Sequence, residues 1–322
     1  MLPPGYVERA ARLEDLGAVT DLLIASDIAE FGEPDWSEDD QVEEWANPRL
    51  DLAVDTRVVH AAGGATVGYA IVTCRDQAVD GTGTDFDSDV YVHPDHDASG
   101  IEEHLMGFVE DRAREQIAPG VGSAQVVAVV HAANTVRAAR YLAAGYAPVR
   151  HFWRMTIALP AAPSDHSPRG VTIRPYAGLH ELPDVHRVVT EAFHGHFRHV
   201  PLPYDEWAAR YAHREVSTGP WLLAEMDGQV VGALLSSSSV PGAGWIRYVS
   251  VLESARGRGI GLGLLQRAFD AFADLGATKV SLGVDAENAT GAVGLYQRAG
   301  MAVERQHDFY AKSLQRVGVP IT

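Results

Sequence analysis

Six consecutive residues, Arg256-Gly257-Arg258-Gly259-Ile260-Gly261, set three glycines and two arginines between two apolar runs. Residues 245–252 before them are β-branched and alternate enough for a strand. After them Leu262, Leu264, Leu265, Ala268, Phe269 and Phe272 recur at helical spacing. Glycines at a strand-to-helix turn let the backbone curl and approach a ligand closely. The free N–H groups and dipole of the helix start favour an anion there. The ligand implied is a phosphate or a pyrophosphate. A Walker loop would close on Gly-Lys-Ser/Thr, and this one does not. A dinucleotide fingerprint needs a ribose-binding acid about 20 residues on. Asp270 and Asp274 are too near for that and lie on the helix.

A second patterned element follows. Residues 279–284 read as a strand, 285–288 as a turn, and 290–299 as a short helix ending at Gly300-Met301. That helix carries Leu295-Tyr296. The two elements together resemble the acetyl-CoA-binding half of the GCN5-related N-acetyltransferase (GNAT) family, over roughly residues 170–315. Met301 stands where the family has an aromatic residue.

The resemblance implies a mixed α/β fold in which two central parallel strands splay apart around the pantetheine arm of acetyl-CoA. It implies direct transfer of an acyl group from a thioester to a primary amine. Backbone groups of Val249 and Val251 would grip the pantetheine and the carbonyl oxygen. The N–H groups of Gly257, Arg258, Gly259, Ile260 and Gly261 would cradle the pyrophosphate, with side-chain help from Arg256 and Arg258. Tyr296 would be the general acid, since a phenol near 10 is reasonably matched to a thiolate near 8–9. Asn288 would hydrogen-bond the cofactor, although it precedes Tyr296 by eight residues where the family has seven; a turn or cap role is the other reading. No carboxylate sits on the strand before the loop, so the base is sought in Glu225 or among His194, His196 and His199. His194, His196 and Tyr204 lie in the segment joining the first two helices of this half, which shapes the acceptor side in the family. Those histidines lack a fourth ligand, so no metal is expected.

The elements that must position these residues occur twice. Residues 160–170, PAAPSDHSPRG, read as a linker. On each side the order is a short strand, two helices, a hairpin, a strand and loop into a helix, a strand, a helix and a last strand. Gly63-Gly64 and Asp227-Gly228 mark the hairpins. The period of about 160 residues is that of a duplicated domain. We therefore expect two tandem GNAT domains, 1–159 and 171–322, each a splayed mixed sheet flanked by helices. In the first, 92–105 falls where the glycine loop should be. Asp97 takes the arginine position, Ala98 the first glycine and Glu102 the last, and only Gly100 remains. Carboxylates there disfavour a pyrophosphate. The first domain is expected to have lost cofactor binding and the second to be catalytic.

Composition narrows the partners. The net charge of −17 is uneven: residues 1–169 hold 12 Arg and no Lys against 28 acids, and residues 170–322 carry only −1. That balance argues against nucleic acid. It suits a solvated acidic surface or, in a sharper reading, a wall that attracts a cationic acceptor. No apolar run is long enough to span a membrane, and the start lacks a signal-peptide pattern. Cys74 is alone and sits in a strand-like run. The expectation is a cytoplasmic acetyl-CoA-dependent N-acetyltransferase acting on a small-molecule or peptide amine, with a homodimer as the candidate assembly. A non-catalytic acyl-CoA- or partner-binding module, or a longer-chain acyltransferase, are the rivals.

Overall fold

The computed structural model describes residues 2–75, 83–119, 121, 123–161, 168–212, 219–238, 240–288 and 290–315. The chain forms two compact units. The first is Met1–Arg150 together with Asp308–Thr322, and the second is His151–His307.

The first unit runs β1 (Tyr6–Arg9), α1 (Leu16–Phe31), α2 (Glu38–Trp45), α3 (Leu52–Asp55), β2 (Thr56–Ala61), β3 (Thr66–Cys74), β4 (Gly83–Val92), α4 (Ile101–Gln116), β5 (Ser123–His131) and α5 (Thr135–Ala143), then enters β6 (Ala147–Ala158). The second unit takes over within β6. It continues with β7 (Thr172–Pro175), α6 (Leu182–Ala192), α7 (Tyr204–Ala212), β8 (Leu222–Met226), β9 (Gln229–Ser237), β10 (Ala243–Val251), α8 (Ile260–Asp274), β11 (Lys279–Asp285) and α9 (Ala292–Arg298), and enters β12 (Ala302–Leu314). From Asp308 onward β12 belongs to the first unit.

Each unit is three layers. In the second, the strand order is β6-β11-β10-β9-β8-β7. Neighbours are antiparallel except β10 and β11, which are parallel. On one face α8 and α9 bury Ile260, Leu264, Leu265, Phe269, Phe272 and Tyr296 against Ile246, Val280 and Leu282. On the other, α6 and α7 bury Val185, Val189, Trp207 and Tyr211 against Leu223, Ala233 and Leu235. The first unit repeats the plan with order β1-β2-β3-β4-β5, and β4 and β5 are its parallel pair. There α1 and α2 set Val19, Leu22, Leu23 and Trp45 against Val58 and Tyr69, while α4 packs the opposite face. Both hairpins form as expected; Gly64 has φ +86°, and Asp227 and Gly228 have φ +52° and +76°.

Three differences from the sequence reading have physical reasons. First, the Gly- and Asp-rich stretch 77–87 reads as a loop, yet β4 starts within it, at Gly83; residues 76–82 lie outside the described residues. A Cβ at Gly83 would sit 2.3 Å from Ser123 Oγ, so this glycine allows the close approach of the parallel neighbour. Second, a short α3 replaces featureless chain, capped by Asp51, which accepts from Ala53 N. Third, the units do not part at 159 and 171 as the linker composition suggests. Strand pairing overrides composition: Phe152–Ala158 of β6 pair with β11 in the second unit. In return the end of β12 completes the first unit, where Tyr310 and Leu314 join its core. Tyr310 lies 6.2 Å from the Tyr141 ring, and Lys312 Nζ reaches both Glu110 carboxylate oxygens at 2.7 Å. Of the linker, 162–167 lie outside the described residues. No described helix is long and apolar enough to cross a membrane.

Two predictions follow from this packing. Tyr310→Ala removes a side chain that is 6% exposed from the core of the first unit. It should destabilise that unit by about 3 kcal/mol, read as a lower melting temperature by near-UV circular dichroism. The second concerns pH. Enclosure and the nearby Asp89 push Glu44 up from 4.5 to about 8; enclosure and Asp87 push Asp89 up from 3.8 to about 6. Each carboxyl therefore takes up a proton on folding, so its contribution to stability is present in acid and is lost as pH rises through these values. Between pH 5 and 8 the melting temperature should fall, and Glu44→Gln should flatten that fall.

Candidate functional site

The site begins where β10 and β11 stop pairing. Their parallel register covers only Ala243–Ile246 against Lys279–Leu282. Beyond it β10 stays on β9 to Val251, and β11 stays on β6 to Asp285. A bulge at Arg247, between Ile246 and Tyr248 in the β9 register, re-aims the strand as it leaves. The direction of the backbone groups follows from the ladder. Leu252 N donates to Val231 O at 2.9 Å, so Leu252 is a hydrogen-bonded position towards β9. In an antiparallel pair such positions alternate. Val249 and Val251 are therefore the positions whose N–H and C=O face away from β9, into the gap.

The loop after β10 is a 3-10 turn, Glu253–Ala255, followed by Arg256 and two glycines in the left-handed region. Gly257 has φ +77°; Gly259 has φ +81° and caps α8. Residues Arg256 to Gly259 are exposed, and a Cβ on either of these two glycines would meet nothing within 4 Å. The cradle is open and the first turn of α8 has N–H groups to give, which fits a pyrophosphate. Gly261 is small for another reason: a Cβ would lie 3.0 Å from Leu295 Cδ2 on α9. Arg256 is less available than its place in the loop suggests. Its Nε donates to Val251 O and its Nη2 to Ala192 O, both at 3.3 Å, so it ties the end of α6 to the end of β10. Arg258 is exposed.

The first unit carries the same backbone with different contents. A 3-10 turn, Pro94–Ser99, leads to Gly100 at φ +86°, which caps α4. His93 N donates to Val67 O, the counterpart of the Leu252 bond, so Val90 is the counterpart of Val249. Its carbonyl accepts from Arg137 Nη2 at 2.5 Å. Glu102, 4% exposed, pairs with Arg137 at 3.0 Å and with Arg140 at 2.5 Å. Arg140 also pairs with Asp97 at 2.6 Å. The carboxylates expected to face a pyrophosphate are thus neutralised from α5, and the gap-facing carbonyl has an internal donor.

The remaining residues separate into those near the gap and those away from it. Tyr296, on α9, is 8% exposed and packed in the α8 face core. Its hydroxyl has no hydrogen-bond partner among the described residues, and burial pushes its pKa up to about 12. Asn288 accepts at Oδ1 from Thr290 N at 2.7 Å and from Thr290 Oγ1 at 2.5 Å, which is the turn role. Glu225 is not at the gap. It lies on β8, with β9 between it and β10, and its Oε1 is held by Arg174 at 2.5 Å in a polar groove shared with Glu181, Asp184 and Arg187. Tyr204 opens α7, 37% exposed, edge-on to His186 at 5.6 Å. His194 is exposed. The His196 ring lies 4.7 Å from that of Phe193, tilted by 50°, and Phe193 meets Tyr248 of β10 edge-on at 5.2 Å.

One polar group escaped the sequence reading. Ser250 is fully buried, and its Oγ has no hydrogen-bond partner among the described residues. Tyr248 and Leu252 pack with the α6–α7 face and Val249 and Val251 with the α8 face, so alternation puts Ser250 on the α6–α7 side. A serine in a β-branched strand gives no sequence signal of its own.

Comparison with known proteins agrees with this geometry. The family model described as acetyltransferase (GNAT) family matches residues 182–301. The chain is 30% identical over 296 residues to a mycothiol acetyltransferase of Pseudarthrobacter chlorophenolicus, covering 87% of each protein. It is 29% identical over 316 residues to a mycothiol acetyltransferase of Parafrankia sp., covering 91% of this chain and 93% of that one. Among solved structures it resembles a GCN5-related N-acetyltransferase from Sphaerobacter thermophilus, with 30% identity, a TM-score of 0.78, and 100% and 99% of the two chains covered. In fold it also resembles a tandem GNAT protein from the clavulanic acid biosynthesis pathway, at 18% identity and a TM-score of 0.71 over 96% and 98% of the two chains. With its parting parallel strands and twofold repeated plan, the chain is a member of the GCN5-related N-acetyltransferase family, an acetyl-CoA-dependent acyltransferase built from two tandem GNAT folds.

Proposed function

We propose that acetyl transfer takes place in the second unit, onto the primary amine of a small molecule. The observation that carries this reading is the contrast at one backbone position. The edge of β10 at Val249 leads into an open glycine cradle, whereas its counterpart at Val90 is bonded by Arg137 beside Glu102. The first unit is then a non-binding partner fold. Relatives named mycothiol acetyltransferases make a small-molecule amine the expected acceptor class; peptide amines are the alternative to test.

Acetyl-CoA supplies the acetyl group as a thioester. The chain supplies the rest. Val249 and the amide of Val251 offer backbone partners along the gap, the Val251 carbonyl being held by Arg256, and the amides of 257–261 offer donors to the pyrophosphate. Tyr296 stays protonated at neutral pH and offers its hydroxyl to the leaving sulfur. With the phenol at about 12 and a thiol at about 8.5, complete proton transfer from the phenol is uphill. A hydrogen bond to the developing thiolate is the contribution that burial favours.

Thiol release from acetyl-CoA, followed with a chromogenic thiol reagent across a panel of small and peptide amines, tests the reading. Tyr296→Phe should lower kcat about 100-fold and leave the acetyl-CoA Kd unchanged. Gly259→Ala puts a side chain into the left-handed region, at about 1–2 kcal/mol of strain. By calorimetry it should weaken acetyl-CoA binding about 5- to 30-fold, the size of that strain at 1.4 kcal/mol per decade. Gly100→Ala, on the equivalent backbone of the first unit, should leave binding unchanged. Equal effects of the two alanines would move the cofactor site or double it.

A further inference from the structure

We infer that His196 is the group that takes the proton from the acceptor amine, at the open end of the gap between β10 and β11. This deepens the proposed function and rests on its placement of acetyl transfer in the second unit.

The chain that follows α6 lies across that open end. On the β10 side, Arg256 joins Ala192 O to Val251 O, and Phe193 packs on Tyr248. On the β11 side, Phe197 lies 6.1 Å from Phe152, and Phe152 is the register partner of Asp285, the last residue of β11. His196 sits between these two anchors, with its ring against Phe193. The charges that act on it come from both banks of the gap, Arg256 from the loop after β10 and Asp285 from the end of β11. Tyr248 of β10 is the titratable group that meets the same Phe193 ring, and His194, Arg198 and His199 belong to its own segment. Burial and the Arg256 charge lower the imidazole below 6.5, against the opposing pull of Asp285. A half-buried imidazole that is neutral at physiological pH is a base ready for use. The same Arg256 charge disfavours an ammonium arriving beside it. Ser250, on the same face of β10, presents a buried hydroxyl that lacks a partner among the described residues.

Geometry removes the carboxylate among the competing bases. Glu225 is two strands away from β11's neighbour and bound by Arg174, and β10 itself carries no carboxylate.

In the reaction the amine arrives as an ammonium. His196 accepts one proton and later returns it to water. The nitrogen forms its bond to the thioester carbonyl carbon as the carbon–sulfur bond breaks. The second nitrogen proton ends on the coenzyme sulfur, so the products are an amide, a free thiol and one released proton.

The test uses the full chain, acetyl-CoA and the best amine of the panel. For wild type, kcat/KM should fall with decreasing pH as the imidazole of His196 becomes protonated, below 6.5. His196→Ala should lower kcat/KM at pH 7 about 100-fold, lose that acid limb, and recover part of its rate when free imidazole is added, while the acetyl-CoA Kd stays the same. The titration of the His196 ring in wild type, followed by carbon-detected NMR, should match the kinetic limb; a mismatch overturns the inference even if the variant misfolds. An active wild type whose His196→Ala variant keeps the same limb and a rate within about threefold overturns the role of His196 and leaves acetyl transfer standing. No thiol release by wild type on any amine removes both.

Discussion

Every functional feature of this chain depends on a strand edge that is not allowed to pair. A parallel ladder between β10 and β11 lasts four residues and then opens. Backbone N–H and C=O groups left in such a gap need partners, because an orphaned buried group costs about as much as a lost hydrogen bond. The two repeats meet that demand differently. In the second, the groups at Val249 and the amide of Val251 face a cleft that continues into an exposed glycine turn, while the Val251 carbonyl accepts from Arg256. In the first, Arg137 reaches across from α5 to the carbonyl of Val90, and Glu102 and Arg140 complete a closed ion-pair cluster. The closed gap of the first unit is a substitution of internal side-chain partners for open backbone groups.

Arg256 illustrates how the two sides of the second gap are joined. It belongs to the glycine loop by sequence and to the end of α6 by its hydrogen bonds. The glycine loop and the segment that follows α6 therefore share a strut. The aromatic packing of Phe193 on Tyr248 and of Phe197 near Phe152 completes the attachment at either bank.

Much of this was legible from local pattern. The glycine loop, the hairpins at Gly64 and Asp227-Gly228, the duplicated order and the worn loop of the first copy all depend on neighbouring residues. What was not legible depends on long-range geometry. The destination of β6 and β12 is decided by which edges are free, and the proline-rich stretch after β6 signals a boundary that pairing ignores. Glu225 looked available because its partner Arg174 lies 51 residues away. The acidic charge of the first half looked like one open surface. Several of its acids are in fact spent inside, Asp15 on Arg9, Asp55 on Arg112, Glu102 on Arg137 and Arg140. Asn288 was ambiguous by spacing alone; the structure adds the turn contact of its Oδ1 with Thr290.

The return of residues 308–314 to the first unit has a bearing on how the protein is made. On the ribosome a leading domain ordinarily finishes folding while the rest is being translated. Here the leading repeat cannot bring Tyr310 and Leu314 into its interior, or pair Lys312 with Glu110, until the whole second repeat has been translated. The nascent first half must wait with an incomplete sheet, and its final maturation follows that of its own successor.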